Sequence, residues 1–212
     1  MKTADKILLK ALEMFNERGV EYVGLRELAG LLDMRVSNIT YYFPTKDDLV
    51  YQLSVELNQL NSKVLVADEH ITITTFIEML RTVFYNHLKF RCLLLSFVHL
   101  MEQNKKISTR YNQTQKDRNA TLRANIRFII SSGFLKIEDD KEVDYLVSAI
   151  ALVVRFWISE AQISFRHLSP DEQINHYLSL IARMLLPYTT AQYKAELQAC
   201  LNQLDEVANP NI

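Results

Sequence analysis

The sixteen-residue stretch Met34–Leu49, MRVSNITYYFPTKDDL, contains three aromatic residues in a row, followed by a proline. Consecutive residues of an α-helix are rotated by about 100° from one another. Tyr41, Tyr42 and Phe43 therefore cannot all face one side of a helix, and at least one of these large side chains is expected to point into water. The stretch raises the question of what an exposed aromatic ring does there.

The same rotation divides a predicted helix at residues 36–43 into two faces. One face can close a small core, and its members are Val36, Ile39, Thr40 and Phe43. The other, which we call the tyrosine face, consists of Ser37, Asn38, Tyr41 and Tyr42. The pattern predicts one core-facing side and one exposed side that carries hydrogen-bonding and aromatic groups.

Two further helices are predicted before this one. Apolar residues at helical spacing indicate a helix from Thr3 to about Arg18, which Thr3 can cap and which ends at Gly19. A short helix from about Leu25 to Leu32 follows, and Asp33 begins a tight turn for which aspartate suits the backbone.

After the stretch, the chain is predicted to be helical throughout. Pro44 ends the third helix, and Thr45 with Asp48 forms an approximate capping box for a long fourth helix that reaches about Val66. Further helices are expected at residues 72–89, 90–103, 108–132, 141–165, 171–186 and 190–207. Only four glycines and four prolines occur in 212 residues. Since sheets need such residues at their turns, the sequence predicts an all-α protein of about nine to ten helices.

Charge and composition restrict the function. With 49% apolar and 23% charged residues, the chain has the composition of a soluble globular protein, expected in the cytoplasm. The net charge is −1, and the first 50 residues hold seven basic and eight acidic side chains. A general basic surface for nucleic acid is therefore excluded. Within residues 34–46 the only charged residues are Arg35 and Lys46, both positive, so DNA binding would depend on this local arrangement.

Catalytic and metal sites are not predicted. Cys92 and Cys200 lie far apart and are interpreted as reduced thiols, and the five histidines show no metal spacing. No glycine-rich phosphate loop and no nucleophile motif occurs, so neither an enzyme nor a cofactor is expected. The N-terminus lacks the features of a signal peptide. The apolar segment Leu146–Ile158 is too short to span a bilayer, and a basic amphipathic stretch is missing, so no membrane partner is expected.

Three segments together resemble the DNA-binding half of the TetR family of bacterial transcriptional regulators. They are ILLKALEMFNERG (Ile7–Gly19), LRELAGLLDM (Leu25–Met34) and NITYYFPTKDDL (Asn38–Leu49), in the family's order and spacing. The resemblance covers about the first 50 residues. The remainder is similar to the family only in the number and length of its helices.

The resemblance implies a helix-turn-helix domain at residues 1–48 and a helical ligand-binding and dimerisation domain at residues 49–212. It further implies a homodimeric repressor that binds double-stranded DNA at a palindromic operator. Each subunit would place its third helix in the major groove, and an unknown small-molecule effector would bind in the C-terminal domain and change the spacing of the two reading helices.

Position by position, the resemblance places six residues at the DNA interface: Ser37, Asn38, Thr40, Tyr41, Tyr42 and Lys46. Val36 falls where a DNA-facing polar residue is common in the family, and Arg35, which departs from the family's pattern, is expected to gain a phosphate contact. Lys46 falls at the family's phosphate-contacting lysine. Serine and asparagine suit base edges, and tyrosine offers a hydroxyl to phosphate and a ring to a thymine methyl. The alternative is that the two tyrosines cover a neighbouring apolar patch. The turn Leu32–Arg35 departs from the family's usual Ala-Gly-Val-Ser, so the exact start of the third helix and the role of Val36 stay open.

The C-terminal part gives coarser expectations. The nearly all-apolar segment 143–165 and the helix near 171–186 are expected to form the dimer interface. A mainly apolar effector would contact a pocket whose candidate lining residues are Phe84, Phe97, Met101, Phe128 and Trp157. Aromatic residues and methionine at helical spacing are also typical of an ordinary core. The alternative function is an all-helical ligand-binding or adaptor protein that no longer binds DNA.

Overall fold

The computed structural model of the protein describes residues 2–208, which form eleven α-helices and no β-strand. The first seven are α1 (Thr3–Arg18), α2 (Leu25–Leu31), α3 (Val36–Tyr42), α4 (Lys46–Val64), α5 (Ile73–Lys89), α6 (Arg91–Leu95) and α7 (Phe97–Gln103). They are followed by α8 (Lys105–Ser131), α9 (Asp140–Ser164), α10 (Pro170–Leu185) and α11 (Lys194–Ala208). Two short 3-10 helices, Leu186–Tyr188 and Ala191–Tyr193, connect α10 to α11. The predicted all-α class is confirmed.

One predicted helix is divided in two. The segment 90–103 was expected to be continuous, but Ser96 ends α6 and begins α7 with φ −91° and ψ 12°. These angles lie in the bridge region between helix and strand. Both pieces keep buried leucines, including Leu93 and Leu100, so the apolar pattern runs on across the break and does not reveal it. This break accounts for the eleventh helix.

The chain forms two compact units. The first comprises Met1–Leu60 and Lys89–Thr114, and the second comprises Asn61–Leu88 and Gln115–Ile212. The boundaries therefore fall inside α4 and α8 and near the end of α5. This division groups residues by their contacts, whereas the predicted division after residue 48 concerns function and stays a prediction.

The first unit contains the core predicted for the N-terminal helices. Its buried members include Ile7, Ala11, Phe15, Leu28 and Ile39. Helix α1 packs on α2, on α3 and on α6. Burial of this apolar surface stabilises helices that are too short to persist alone, because most helical stability in proteins comes from tertiary packing.

The second unit is built around α9 and α10. The segment predicted to be too short for a bilayer belongs to a longer helix, α9, whose length and composition alone would suffice to cross one. A core helix of a soluble protein has the same character, and Leu146, Ile150 and Trp157 of α9 are buried. Helix α10 packs against both α9 and α11.

A polar cluster lies inside this second unit. The Trp157 indole Nε1 donates to His87 Nδ1 at 3.3 Å, and the Asn61 amide lies 3.3 Å from His87 Nε2. An indole N–H can only donate, so Nδ1 must be the unprotonated nitrogen of a neutral ring. Burial lowers the pKa of His87 from 6.5 to about 3, and the charge of Arg118 acts in the same direction.

We predict that His87 makes the protein less stable in mild acid. The unfolded imidazole takes up a proton near its ordinary pKa and the folded one does not, so stability is lost as the pH falls below about 6.5. Between pH 7 and pH 5 this group should cost about 2 kcal/mol of unfolding free energy. Urea denaturation of wild type and His87→Gln at both pH values measures the difference, which should be smaller by that amount in the variant.

The exposed histidine His70 provides the matched control for this experiment. The His70→Gln variant should keep the wild-type dependence of stability on pH. Equal pH dependence in His87→Gln and in wild type would contradict the assignment of the acid sensitivity to His87.

Candidate nucleic-acid interface

The turn between α2 and α3 has the geometry expected of a tight connection. Asp33 has a φ of 52°, in the left-handed region that aspartate tolerates better than most residues. The Met34 N–H donates to the Ala29 carbonyl at 2.9 Å, which closes the end of α2. Helix α3 begins at Val36, the first residue of the approximate range 36–43, and Arg35 is its N-terminal flanking residue. The departure of this turn from the family pattern therefore does not shift the start of the helix.

The predicted division of α3 into two faces is confirmed. Ile39 is 0% exposed and Phe43, directly after the helix, is 8% exposed. On the opposite side, Tyr41 is 80% exposed and Tyr42 is 43% exposed. The other members of the tyrosine face, Ser37 and Asn38, are also exposed, and Val36 and Thr40 are half-buried.

The rings of the two exposed tyrosines contact each other. Their ring centroids lie 5.0 Å apart with the planes at 88°, an edge-to-face arrangement. Such a contact restricts both rings while leaving the hydroxyl groups accessible. The Thr40 hydroxyl, by contrast, donates to the Ser37 carbonyl at 3.4 Å within the helix.

A capping box joins α3 to α4 as predicted. The Asp48 N–H donates to Thr45 Oγ1 at 3.1 Å, and the Thr45 N–H donates to Asp48 Oδ2 at 3.2 Å. A hydrogen bond from Lys106, followed by those from Thr45, holds the pKa of Asp48 below its ordinary value of 3.8. Asn104 also donates to the Asp47 carbonyl at 3.1 Å. The start of α4 is therefore fixed from two sides.

Lys46 is more constrained than the sequence indicated. Its ammonium group donates to the carbonyls of Val20 and Glu21 at 3.0 and 3.3 Å. A lysine ammonium has three N–H donors, so these two bonds leave one for another acceptor. Lys46 therefore ties the start of α4 to the loop between α1 and α2.

Asn16 holds α6 against α1, a contact that no sequence pattern predicts. The Asn16 side chain donates to the Lys89 carbonyl at 2.8 Å and accepts from the Cys92 N–H at 3.0 Å. The Arg91 guanidinium donates to the Asn16 carbonyl at 3.0 and 2.7 Å. Residues more than 70 positions apart meet here, and nothing in the local pattern around Asn16 indicates its partner.

The five residues predicted to line an effector pocket have different surroundings. Phe84 and Trp157 are fully buried and stack on each other, with ring centroids 4.8 Å apart. Phe97 and Met101 belong to the first unit, where the Phe97 ring contacts Tyr111. Phe128 is half-buried in α8. The structure brings Phe84 and Trp157 together, and the pocket as a whole stays a prediction. Within residues 2–208, no group of His, Cys, Asp and Glu is arranged to hold a metal ion.

The geometry of α2, its turn and α3 defines the class of protein: a helix-turn-helix DNA-binding protein whose second helix is exposed on one side. Comparison with known families agrees. The family described as "Bacterial regulatory proteins, tetR family" matches residues 7–53, and that described as "Bacterial transcriptional repressor" (TetR) matches residues 57–197. The chain belongs to the TetR family of bacterial transcriptional regulators.

Individual proteins are similar to this chain in sequence or in fold. The "Probable HTH-type transcriptional regulator YttP" of Bacillus subtilis (strain 168) is 28% identical over 200 residues, covering 93% of this chain and 82% of the relative. A TetR-family regulator from Marinobacter aquaeolei VT8 has a similar fold, with a TM-score of 0.90 at 21% identity, over 96% of this chain and 99% of that one. The regulator PfmR from Thermus thermophilus has a TM-score of 0.62 at 20% identity, over 85% and 97% of the two chains. The protein is therefore a DNA-binding transcriptional regulator of a family whose members are soluble and generally non-enzymatic.

Proposed function

We propose that this protein is a homodimeric, effector-responsive repressor that places α3 in the major groove of a palindromic operator. The observation that carries this proposal is the tyrosine face, which is exposed while Ile39 and Phe43 anchor the other side. A short, rigidly held helix with polar and aromatic groups on its free side suits base-edge readout in a groove wide enough for an α-helix.

Each residue of the interface has a proposed role. Asn38 can form a bidentate pair with adenine, and Ser37 suits a base edge or a phosphate. Tyr41 and Tyr42 offer hydroxyl groups to phosphate and ring surface to thymine methyl groups. Arg35, at the start of α3, and the remaining donor of Lys46 contact phosphates.

The two half-buried residues of α3 are proposed to make additional contacts with DNA. Val36 and Thr40 belong to the core-facing side of α3, but both are only half-buried, and the exposed part of each can contact a base or sugar. The low number of cations means that phosphate contacts are few, so non-specific binding is modest.

We predict that two substitutions weaken operator binding in different ways. Tyr41→Ala should reduce affinity about tenfold or more, because it removes both the hydroxyl and the ring from the interface. Lys46→Ala should reduce the slope of log K against log salt by about 1, as expected for one lost phosphate contact. Fluorescence anisotropy with operator DNA over a series of salt concentrations measures both effects.

Two exposed positions of similar character serve as controls. Val98→Ala shortens an exposed apolar side chain on α7, and Lys136→Ala removes an exposed charge from the α8–α9 loop. Both variants should bind DNA as the wild type does. If Tyr41→Ala and Lys46→Ala also kept wild-type affinity and salt dependence, the interface would be assigned to the wrong residues.

The proposed dimer interface is formed by α9 and α10, near residues 143–165 and 171–186. Leu152 and Ile163 of α9 and Leu180 of α10 are large apolar side chains that remain exposed in the single chain. Leu152 and Ile163 are eleven residues apart, about three helical turns, so they lie on the same side of α9. Two such helices from each subunit can form a self-complementary four-helix interface, and a two-fold operator requires a two-fold protein.

We predict that a charge in this apolar surface separates the subunits. Leu152→Glu or Leu180→Glu would bury a carboxylate in the interface and should convert a dimer to a monomer at micromolar concentration. Light scattering coupled to size-exclusion chromatography measures the mass. The control Val66→Glu, at an exposed apolar residue outside these helices, should remain dimeric. A monomeric wild type at that concentration would contradict the proposed interface.

The effector of the proposed repressor is a small, mainly apolar molecule that binds among the helices between residues 72 and 165. Support comes from the stacked aromatic pair of Phe84 and Trp157 in the second unit. We further propose that the protein acts in the cytoplasm, requires no cofactor and has no enzymatic activity.

We predict that effector binding alters the emission of Trp157, the only tryptophan of the chain. An apolar compound that releases the operator should change Trp157 fluorescence over the same concentration range, because the proposed pocket adjoins this ring. A titration followed by both anisotropy and tryptophan emission tests the coincidence. Release of DNA with unchanged emission would place the effector elsewhere.

A further inference from the structure

A cleft of about 370 Å³ with both polar and apolar walls lies between α5, α10 and α11 in the second unit. It is separate from the predicted effector pocket, since none of the five predicted pocket residues lines it. Buried apolar side chains, Ile77 of α5 and Leu204 of α11, form part of its wall. Most of the remaining lining is charged or amide-bearing, so the cleft has the mixed character of a site for a small polar molecule.

Arg81 and Asn175 provide hydrogen-bond donors in the cleft. The Arg81 Nη1 group donates to Asn175 Oδ1. A guanidinium only donates, so the amide oxygen must face Arg81 and the amide NH2 group must point away from it. Asn175 is only 4% exposed and borders the cleft. Within the described residues, neither its NH2 group nor the Arg81 Nη2 group donates a hydrogen bond to the protein, so both residues keep a donor for a ligand.

Asp171 provides the opposite charge one helical turn earlier on α10. The Tyr85 hydroxyl donates to Asp171 Oδ1 at 2.8 Å, which fixes the position of the carboxylate. Arg81 is already paired with Glu78 at 3.0 Å. In the part of the chain that the structure describes, Asp171 accepts a side-chain hydrogen bond only from this neutral tyrosine and has no basic side chain as its partner, so its second oxygen Oδ2 is available to a cation.

The spacing of these groups selects the ligand class. Residues four apart on a helix have their Cβ atoms about 5–6 Å apart, so the Asp171 carboxylate and the Asn175 amide are a short aliphatic chain apart. N–H donors together with a guanidinium bind a carboxylate, and a carboxylate without a basic partner binds an ammonium group. A ligand with only a carboxylate would leave Asp171 without a partner, and a ligand with only an ammonium group would leave the donors of Arg81 and Asn175 unused.

We propose that this cleft binds a small zwitterion, with its carboxylate against Arg81 and Asn175 and its ammonium group against Asp171. The site is accessible in the proposed dimer. Asn175 and Leu180 are five residues apart on α10, which places them about 140° apart around the helix, so the cleft and the apolar dimer surface lie on different sides. This inference goes beyond the proposed function, because binding is measurable without DNA.

Isothermal titration calorimetry of the full chain with three matched probes tests the proposal. The probes are 4-aminobutyrate, which carries both charges, butyrate, which carries only the carboxylate, and n-butylamine, which carries only the ammonium. We expect 4-aminobutyrate to bind and each single-charge analogue to bind at least about tenfold more weakly, as for loss of one hydrogen-bonded charge. No heat with 4-aminobutyrate, or equal binding of n-butylamine or butyrate, would overturn the proposal.

The Asp171→Asn variant tests the charge assignment without disturbing the fold. The carboxamide is nearly the same shape, still accepts from the Tyr85 hydroxyl and lies at an exposed position. This variant should lose the preference for 4-aminobutyrate over butyrate. Glu138→Gln, which removes an exposed carboxylate outside the cleft, should bind like wild type. An unchanged preference in Asp171→Asn would contradict the role given to Asp171.

Discussion

The interface of this protein depends on the burial of Ile39 and Phe43 beneath a helix of only seven residues. A helix this short is not stable in water by itself, since nucleation is costly and few backbone hydrogen bonds repay it. Packing on one side therefore holds α3 in place, and the 100° rotation between residues then requires the tyrosine face to be exposed. The same two side chains that close the core thus determine which groups reach the solvent, and with them the possible contacts to DNA.

Hydrogen bonds in the neighbouring helices also hold α3 in its position. Lys46 joins the start of α4 to the loop after α1, and the Thr45–Asp48 capping box begins α4 two residues beyond Phe43. Asn16 fastens α6 to the end of α1. Because these bonds are made by side chains to backbone groups, they fix the positions of whole helices rather than of single residues. A rigid support of this kind keeps the exposed groups of α3 in one geometry, which base readout requires.

Local periodicity explains what could be predicted from the sequence. The faces of α3, the turn at Asp33 and the cap at Thr45 all depend on residues within a few positions of each other, and the structure agrees with them. The break at Ser96 was missed because the leucines on both sides keep one apolar pattern. Contacts between residues far apart in the sequence could not be predicted from local patterns either. Arg81 donates to Asn175, which is 94 positions away. The two hydrogen bonds that Lys46 donates go to a loop about 25 residues earlier in the chain. Apolar character alone also does not show whether a buried aromatic pair such as Phe84 and Trp157 belongs to the core or to the wall of a pocket.

The central claim is that two copies of the tyrosine face read DNA in adjacent turns of the major groove. Selection of bound sequences from a library of genomic fragments by the purified protein tests it most directly. The account predicts enrichment of an inverted repeat whose half-sites lie about 10 base pairs, or a multiple of that, apart from centre to centre. Failure to enrich any palindromic sequence would contradict it and would favour a helical ligand-binding or adaptor protein that has kept the fold without the reading of DNA.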